Sequence, residues 1–534
     1  MAKVFVQSRK ARPFWFGHPW VFSGAIDRVK GDPKDGSVVE LCDHEGKSIG
    51  YGWWNSKSQI RVRLVALTHE GELDDALIVK RISRAISLRC DSSKLPEVAS
   101  VFRLVHSEGD GLPGLIIDAY RDVAGGIANP SDAPLHLVMQ VTALGMVAHL
   151  PAIIKHLVAA LNPASIIERG SGYAAEEEGL TRADYTHFGE PPLTPITVHE
   201  HGVKYLCDVR AGQKTGFFAD QRENRRAVLP YVRGKHVLDA FCYVGGFGLP
   251  ALVHGGAASV HFLDSSGFAL DLARAGAAAN GVSERASFED ANVLRVLDHW
   301  GKEGKKFGVV MLDPPKLVHR RIELERGMRL YQEINRKAVM VLEDGGILVT
   351  HSCSQHVSEQ DFEHMLSTVA KDTGCRFQLL HRGAQGSDHP VMLPHEESRY
   401  LKSLVLRVSQ PLPGWVPFIP DGPPRFDGAG VPEHVVPAHG PTGSDDPMTG
   451  SATSSGADEA ERPAAPRRTF DRAPSTRQGF RSGPSRAPRG GGGPPRSGTR
   501  PGPRPPQRPR PPRSDGPRGD GPSSRPPIRD SWGP

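Results

Sequence analysis

Cysteine is scarce in this sequence, and its scarcity limits the sites that the chain can carry. The six cysteines lie far apart, at positions 42, 90, 207, 242, 353 and 375 of 534 residues. They form no CxxC pair, so the sequence predicts neither a zinc site nor any other metal site. So sparse a set favours a reducing compartment over a disulfide scaffold, and we expect a cytoplasmic protein.

Long uninterrupted apolar runs are also missing. The N-terminal sequence MAKVFVQSRKARPF has no apolar segment of the kind found in signal peptides. The most apolar stretch, residues 135–163, is interrupted by Gln140, His149, Pro151 and Lys155. We therefore expect a strand followed by a helix there, and no membrane span.

The C-terminal region contains few aromatic residues, and its basic residues are almost all arginine. Residues 462–534 hold 17 Arg and no Lys against 4 Asp, a net charge of +13, whereas the whole chain carries only +6. Residues 413–534 are rich in Pro, Gly and Arg and cannot bury enough apolar surface to fold, so disorder is predicted. A basic arm on an acidic body favours a nucleic-acid partner, although a solubilising extension is an equal alternative.

The rest of the chain divides into regions of different pattern. Short alternating runs predict a small β-rich domain. The helical spacing of apolar residues then predicts a linking helix that carries Leu77, Ile78, Ile82 and Ile86. Strands then mix with one helix, and finally apolar strands alternate with helices, which predicts an α/β, doubly wound sheet. The boundaries that we assign to these four regions are 1–72, 73–100, 101–195 and 196–412.

A glycine-rich turn follows the first strand of the predicted α/β sheet. In VLDAFCYVGGFG (237–248), Gly245 and Gly246 allow close approach of a ligand, and the next strand ends in Asp264, placed to accept bonds from ribose hydroxyls. The spacing is not GxGxxG, and the loop carries Phe241 and Tyr243. These features favour S-adenosylmethionine over a nicotinamide dinucleotide.

A carboxylate and a thiol follow two further strands of the same sheet. The fourth strand ends in Asp313-Pro314-Pro-Lys316, and the fifth is followed by Cys353 between two serines. Adjacent strands would place Asp313 beside Cys353, as carbon-5 methylation of cytosine requires: the thiolate adds to carbon 6, and the carboxyl stabilises charge at ring nitrogen 3. Lys316 would favour the thiolate. The alternative is that Cys353 is a small buried hydrophobe.

These motifs resemble those of bacterial 23S ribosomal RNA cytosine-5 methyltransferases, which join an N-terminal PUA domain to a Rossmann-like catalytic domain that uses S-adenosylmethionine. The resemblance spans about residues 8–410. It is carried by the segments GHPWVFSGAI, SQIRVRL, SEGDGLPGLIIDAY, GQKTGFFADQRENR, FCYVGGFG, DPPKLV, SCS and DHPV.

The resemblance implies cytosine-5 methylation of large-subunit ribosomal RNA with Cys353 as the nucleophile. It also implies that Asp264 holds the ribose, that Asp290 or Asn292 lies near the adenine, and that Gln221 and Arg222 lie near the cofactor or the target. Asp313 and Pro314 are expected to line the cofactor as well. In the N-terminal domain, the residues that we expect to face RNA are Arg9, Lys10 and Arg12, with His18 and Trp20 as further candidates.

Other functions remain open at this point. The same cofactor could serve methylation of another base or position, with Cys353 purely structural. A non-catalytic RNA-binding factor for ribosome assembly is a third possibility, which the intact Asp-Pro-Pro-Lys and Ser-Cys-Ser motifs disfavour. The substrate would be 23S ribosomal RNA or an assembly intermediate, and a homodimer is conceivable.

Overall fold

The computed structural model describes residues 1–125, 132–170, 176–212 and 215–411. The predicted disorder of residues 413–534 lies outside the described part of the chain. The described elements fall into three main sheets and one hairpin, arranged in chain order.

The first sheet is formed by residues 2–67, where the sequence alternates apolar and polar positions. Its six strands lie in the order β2-β6-β5-β4-β1-β3, and every adjacent pair is antiparallel except β1 and β4. The elements are β1 (Ala2–Val6), α1 (Arg12–Trp15), β2 (Trp20–Phe22), β3 (Ile26–Lys30), β4 (Val38–Cys42), β5 (Ser48–Trp54) and β6 (Ile60–Leu67). The short alternating runs that predicted a β-rich domain include SVVELCD, SIGYGWW and QIRVRLV, which form β4, β5 and β6.

A helix connects this sheet to a second one, as predicted. The helix begins after Asp74, whose carboxylate accepts a hydrogen bond from the Leu77 amide at 2.8 Å, and it buries Ile78 and Ile82. The second sheet has the order β11-β10-β9-β8-β7. The elements are α2 (Asp75–Ser87), α3 (Leu95–Val98), β7 (Val101–His106), β8 (Leu115–Arg121), β9 (Leu135–Val141), α4 (Leu150–Leu161), β10 (Ser165–Glu168) and β11 (Tyr185–Gly189).

The most apolar stretch of the chain folds as a strand, β9, followed by the helical segment Leu144–Leu161. By length and composition alone, this segment is the one described helix that is apolar enough to cross a membrane. Its residues Met146, Leu150, Ile153 and Leu157 instead join the core of the second sheet. The contacts are those of a helix that covers a sheet.

The third sheet contains seven strands in the order β16-β15-β14-β17-β18-β20-β19, preceded by the hairpin of β12 and β13. The five neighbouring strands β16, β15, β14, β17 and β18 run parallel to one another, and β20 is antiparallel to both of its neighbours. The strands are β12 (Ile196–Glu200), β13 (Val203–Cys207), β14 (His236–Ala240), β15 (Ser259–Asp264), β16 (Ala286–Asp290), β17 (Phe307–Leu312), β18 (Leu342–Ser352), β19 (Arg376–Gly383) and β20 (Lys402–Ser409).

Helices cover both faces of this third sheet, which confirms the doubly wound architecture. The helices are α5 (Arg222–Val228), α6 (Gly248–Val253), α7 (Gly267–Ala279), α8 (Val293–Glu303), α9 (Leu324–Met340) and α10 (Glu359–Thr373). Buried side chains of α6 and α7 share one core, and those of α8, α9 and α10 share the other. The strand order reverses between β14 and β17, so the carboxyl ends of these two strands are where a ligand is expected.

Candidate active site

The glycine-rich loop after β14 has the backbone conformation of a tight ligand-binding turn. Phe241, Tyr243 and Gly245 have φ angles of 61°, 49° and 81°, in the left-handed region. The Tyr243 amide donates to Asp264 Oδ2 at 2.9 Å, and the Ser266 amide donates to Asp264 Oδ1 at 3.0 Å. The Asp264 carboxylate is therefore fixed beside the loop, and each oxygen keeps a second lone pair for a ligand hydroxyl.

Asp239, near the end of β14, stabilises the same loop, and sequence reasoning did not single it out. Its Oδ2 accepts a hydrogen bond from the Gly248 amide at 2.7 Å, at the start of α6. Burial raises the pKa of Asp239 to about 7, and the neighbouring Asp313 and Asp264 carboxylates add to this effect. The position of this acid, at the end of the strand that enters the loop, was the available signal.

Asp290 ends β16 directly beside the end of β15, in register with Asp264. Its side chain is exposed at the sheet edge. The Asn292 side chain accepts a hydrogen bond from the Arg295 amide at 3.1 Å and caps α8. Because the Asn292 oxygen is committed to the helix, the geometry favours Asp290 of the two residues for a contact to adenine, which stays a prediction.

Asp313 lies at the carboxyl end of β17, which pairs with β18 through Leu312 and Thr350. The side-chain amide of Gln221 donates to Asp313 Oδ1 at 3.1 Å, and Asn224 in turn donates to Gln221 Oε1 at 2.6 Å. Burial raises the pKa of Asp313, which favours its protonated form. The predicted placement of Gln221 next to the site therefore has a structural counterpart in this hydrogen-bond chain.

Ser354 joins the segment after β18 to the Asp-Pro-Pro-Lys loop. The amides of Leu317 and Val318 donate to Ser354 Oγ at 3.2 and 3.1 Å. The same oxygen lies 3.0 Å from the Tyr331 hydroxyl of α9. The Ser-Cys-Ser segment and the loop that carries Asp313 are thus held together, as adjacent strands predicted.

Cys353 lies between two fully buried serines and is itself half-buried. Pro314 is buried, and Lys316 is half-buried in the facing loop. Lys402, at the start of β20, pairs with Ser352 across the sheet. Sequence reasoning missed Lys402 because 49 residues separate it from Cys353 and no motif marks it.

His351 is a second residue near the site that sequence reasoning missed. Its ring is fully buried, its Nδ1 donates to the Leu312 carbonyl oxygen at 2.8 Å, and it packs on Phe247 with ring centroids 4.7 Å apart. Burial lowers the pKa of His351, which favours the neutral ring. It connects the glycine loop to the ends of β17 and β18.

Arg222 does not lie on an RNA-facing surface in this structure. Its side chain is 1% exposed, and its guanidinium donates to Asp388 Oδ2 at 3.0 Å and to the Val101 carbonyl at 3.2 Å. Asp388 also accepts a hydrogen bond from the Arg103 amide at 2.9 Å. Burial and ion pairing give Arg222 a structural position that joins the second and third sheets, whereas the resemblance implied a position near the cofactor or the target.

The N-terminal candidates separate into exposed and packed residues. Arg9, Lys10 and Arg12 are exposed, and the exposed aromatic rings of Trp15 and Phe16 lie a few residues further along the chain. A basic surface with accessible rings suits RNA.

The two further N-terminal candidates are used in packing between parts of the chain. The Trp20 indole donates to Glu108 Oε1 at 2.7 Å, and its ring lies 4.3 Å from that of His395. The His18 Nε2 atom lies 3.4 Å from Glu397 Oε2. His18 and Trp20 therefore connect the first sheet to the second sheet and to the segment before β20.

Comparison with solved structures supports this architecture. A chain from Streptococcus mutans that is proposed to be an S-adenosylmethionine-dependent methyltransferase superposes with a TM-score of 0.64 at 18% identity, over 76% of the present chain and all of its own. A second methyltransferase structure, complexed with SAH, gives the same TM-score and coverage at 17% identity. At such low identity these matches establish the fold alone.

Comparison with family models and curated proteins identifies the family. Residues 4–66 match a PUA-like domain, and residues 181–401 match an S-adenosylmethionine-dependent methyltransferase domain. The proteins named ribosomal RNA large subunit methyltransferase I from Aeromonas hydrophila and Tolumonas auensis are 37% and 36% identical; each match covers 76% of this chain, with 99% and 98% of the relatives. The chain therefore belongs to the ribosomal RNA large subunit methyltransferase I family, with a PUA-like domain and an S-adenosylmethionine-dependent methyltransferase domain.

Proposed function

We propose that this protein methylates carbon 5 of a cytosine in 23S ribosomal RNA through a covalent bond to Cys353. The observation that carries the proposal is the connection made by Ser354, which holds the Cys353 segment against the loop that begins with Asp313. A nucleophile and an acid on neighbouring strand ends are what addition to a pyrimidine requires.

In the proposed reaction, the Cys353 thiolate forms a bond to carbon 6 of cytosine, and the electron pair of the carbon 5–carbon 6 double bond becomes available at carbon 5. Burial raises the pKa of Asp313, and in its protonated form this acid donates a hydrogen bond at ring nitrogen 3 and stabilises the charge there. After carbon 5 has gained the methyl group, a base removes its proton, the electron pair re-forms the carbon 5–carbon 6 double bond, and the sulfur–carbon bond breaks to return the thiolate.

The cofactor supplies a methyl group on a sulfonium sulfur. We propose that Asp264 binds its ribose hydroxyls, that Asp290 lies near its adenine, and that the loop residues Phe241, Tyr243, Gly245 and Gly246 line it together with Asp313, Pro314 and Gln221. The left-handed loop and the fixed Asp264 carboxylate fit such a ligand.

The substrate assignment rests on family membership and on the exposed basic surface at Arg9, Lys10 and Arg12. Free 23S ribosomal RNA and an assembly intermediate of the large subunit are both compatible with this surface, and either would place the protein in the cytoplasm. A homodimer is a further prediction that the experiment below does not require.

The test is nucleoside analysis of ribosomal RNA after reaction with labelled S-adenosylmethionine. Unmodified 23S transcript and immature large-subunit particles are incubated in parallel with the wild type, with Cys353→Ala and with Cys207→Ala. The last variant is the control, because Cys207 is a buried cysteine outside the site. We expect label in 5-methylcytidine with the wild type and Cys207→Ala, and a loss of at least about 100-fold with Cys353→Ala. Label in another nucleoside, or full activity of Cys353→Ala, would overturn the proposal.

A further inference from the structure

We infer that Lys402 is a positioning residue for the proposed nucleophile: its ammonium group, fixed at the Ser-Cys-Ser segment, stabilises the Cys353 thiolate. This inference rests on the proposed function and extends it, because it adds a residue that no motif indicates.

The position of Lys402 is set by both backbone pairing and side-chain bonds. The residue is opposite Ser352 at the start of β20, and it is 6% exposed. Its Nζ donates to the Ser354 carbonyl oxygen at 2.6 Å and to the Tyr400 carbonyl oxygen at 2.8 Å. The ammonium is therefore held at the residue that follows Cys353, close enough for a charge on the Cys353 sulfur to act on it, with a third N–H beyond these two bonds.

The acceptors of these two hydrogen bonds indicate which anion balances the charge of the Lys402 ammonium. Both acceptors are neutral backbone carbonyls, whereas a buried charge is normally balanced by an opposite charge. Burial lowers the pKa of Lys402 to about 8, and a Cys353 thiolate opposes that shift. A thiolate at Cys353 would therefore supply the counter-charge of this buried cation.

Besides Asp313 directly after β17, the charged and titratable groups around the pair come from three further segments. Lys316, in the loop after β17, is a second cation near Lys402, whereas Glu359 and Asp361 at the start of α10 act on Lys402 as more distant anions. Tyr331 of α9 faces Cys353, and burial raises its pKa to about 12, so it stays neutral at ordinary pH. Two hydrogen bonds to backbone carbonyls hold the Lys402 ammonium in place.

A fixed cation beside a thiol lowers the thiol pKa and increases the thiolate fraction near neutral pH. Loss of the positive charge at position 402 should therefore move ionisation of Cys353 to higher pH. A purely structural lysine would not have this effect, because packing alone does not supply charge.

The experiment measures the rate of Cys353 alkylation by iodoacetamide as a function of pH, using full-length protein without RNA or cofactor and mass spectrometry of the Cys353 peptide. The variants are Lys402→Met, which removes the charge, and Lys402→Arg, which retains it. The control is Lys305→Met, which removes an exposed lysine just before β17, whose Nζ lies 3.4 Å from the centre of the Trp300 ring. Circular dichroism verifies that each variant is folded.

We expect the alkylation midpoint of Lys402→Met to rise by about one pH unit or more, with an alkylation rate about tenfold lower at pH 7. Lys402→Arg and Lys305→Met should remain near the wild-type midpoint. Equal midpoints for the wild type and Lys402→Met would overturn the inference. If Lys402→Met does not fold, the arginine variant decides: a midpoint clearly above that of the wild type would overturn it.

The same variants separate this inference from the proposed function. If Lys402→Met leaves the alkylation profile unchanged while the wild type forms 5-methylcytidine, only the inference about Lys402 fails. If the profile shifts but no 5-methylcytidine is formed by the wild type, the proposed reaction fails and the electrostatic pairing remains.

Discussion

At the scale of single residues, the Ser354 hydroxyl makes more hydrogen bonds than any other group described between the two proposed catalytic segments. Its oxygen accepts two backbone hydrogen bonds from the loop that follows Asp313 and contacts the Tyr331 hydroxyl. Replacement by alanine leaves two amides without this acceptor, and unsatisfied buried groups of this kind cost about 1–3 kcal/mol.

We therefore predict that Ser354→Ala lowers the free energy of unfolding by about 1–3 kcal/mol and lowers the methylation rate more than it changes cofactor affinity. Urea unfolding and steady-state kinetics measure the two effects. The control is Ser367→Ala, whose exposed hydroxyl donates only to the Glu363 carbonyl one turn earlier in α10. Equal stability and activity of the two variants would show that Ser354 does not hold the loop.

The buried acid Asp239 makes a prediction about pH. Its pKa is raised to about 7 in the folded protein, whereas an unfolded aspartate titrates near 3.9. The folded state thus binds this proton more tightly than the unfolded state. The contribution of Asp239 to the free energy of unfolding therefore falls as pH rises from the unfolded to the folded pKa. Asparagine retains an oxygen to accept the Gly248 amide but does not titrate.

We predict that the free energy of unfolding of Asp239→Asn, measured relative to that of the wild type, rises by about 2 kcal/mol from pH 5 to pH 7. Urea unfolding across this pH range measures the difference. Asp298→Asn is the control: the Lys302 and Lys337 ammonium groups lower the pKa of that carboxyl to about 2, so its difference from the wild type should be flat there. A flat difference for Asp239→Asn as well would contradict the shifted pKa.

At the scale of elements, the sequence predicted the apolar strands of the third sheet and the adjacency of two of them, but not what joins distant segments. The adjacency of β17 and β18, and with it the approach of the Asp313 and Cys353 segments, followed from the pattern of a doubly wound sheet. Lys402, Asp388 and the buried position of Arg222 could not be predicted in this way. Each depends on contacts between segments roughly 50 to 300 residues apart, which no periodicity or local motif reports.

The Asp388 carboxylate holds the segment between β19 and β20 to the second sheet. This carboxylate, 1% exposed, accepts hydrogen bonds from the Arg222 guanidinium and the Arg103 amide. The Arg222 guanidinium and neighbouring His389 hold the pKa of Asp388 well below its usual range. Removal of the carboxylate leaves a buried arginine without its closest ion-pair partner.

We predict that Asp388→Ala lowers the free energy of unfolding by about 3–5 kcal/mol, the usual cost of breaking a buried pair. Chemical unfolding followed by tryptophan fluorescence measures the loss. Asp298→Ala is the matched control, because it removes an ion-paired carboxylate from the surface instead. A similar small change in both variants would mean that the pairing of Asp388 contributes little to the packing of this segment.

At the scale of the whole molecule, an Arg-rich C-terminal region accompanies a mildly acidic remainder. Residues 462–534 carry 17 arginines, and arginine binds phosphate groups and unpaired bases without reading sequence. The expected effect of this region is on the strength and salt dependence of RNA association, while the choice of nucleotide belongs to the folded domains.

We predict that deletion of residues 415–534 leaves the turnover number unchanged and flattens the plot of log affinity for RNA against log salt concentration. Each lost phosphate contact should reduce the slope by about 0.7 for single-stranded RNA. A second variant retains the region but has its arginines replaced by glutamine, which separates charge from length. An unchanged slope in both variants would assign the region no part in RNA binding.

The central claim is that Cys353 bonds covalently to the target cytosine. The most direct measurement is to incubate the wild type and Cys353→Ala with S-adenosylmethionine and ribosomal RNA that contains 5-fluorocytosine, in which fluorine replaces the proton that must leave carbon 5. The account predicts a denaturant-resistant protein–RNA adduct with the wild type and none with the variant. Methyl transfer to ordinary ribosomal RNA that proceeds without any such adduct and survives in Cys353→Ala would contradict it.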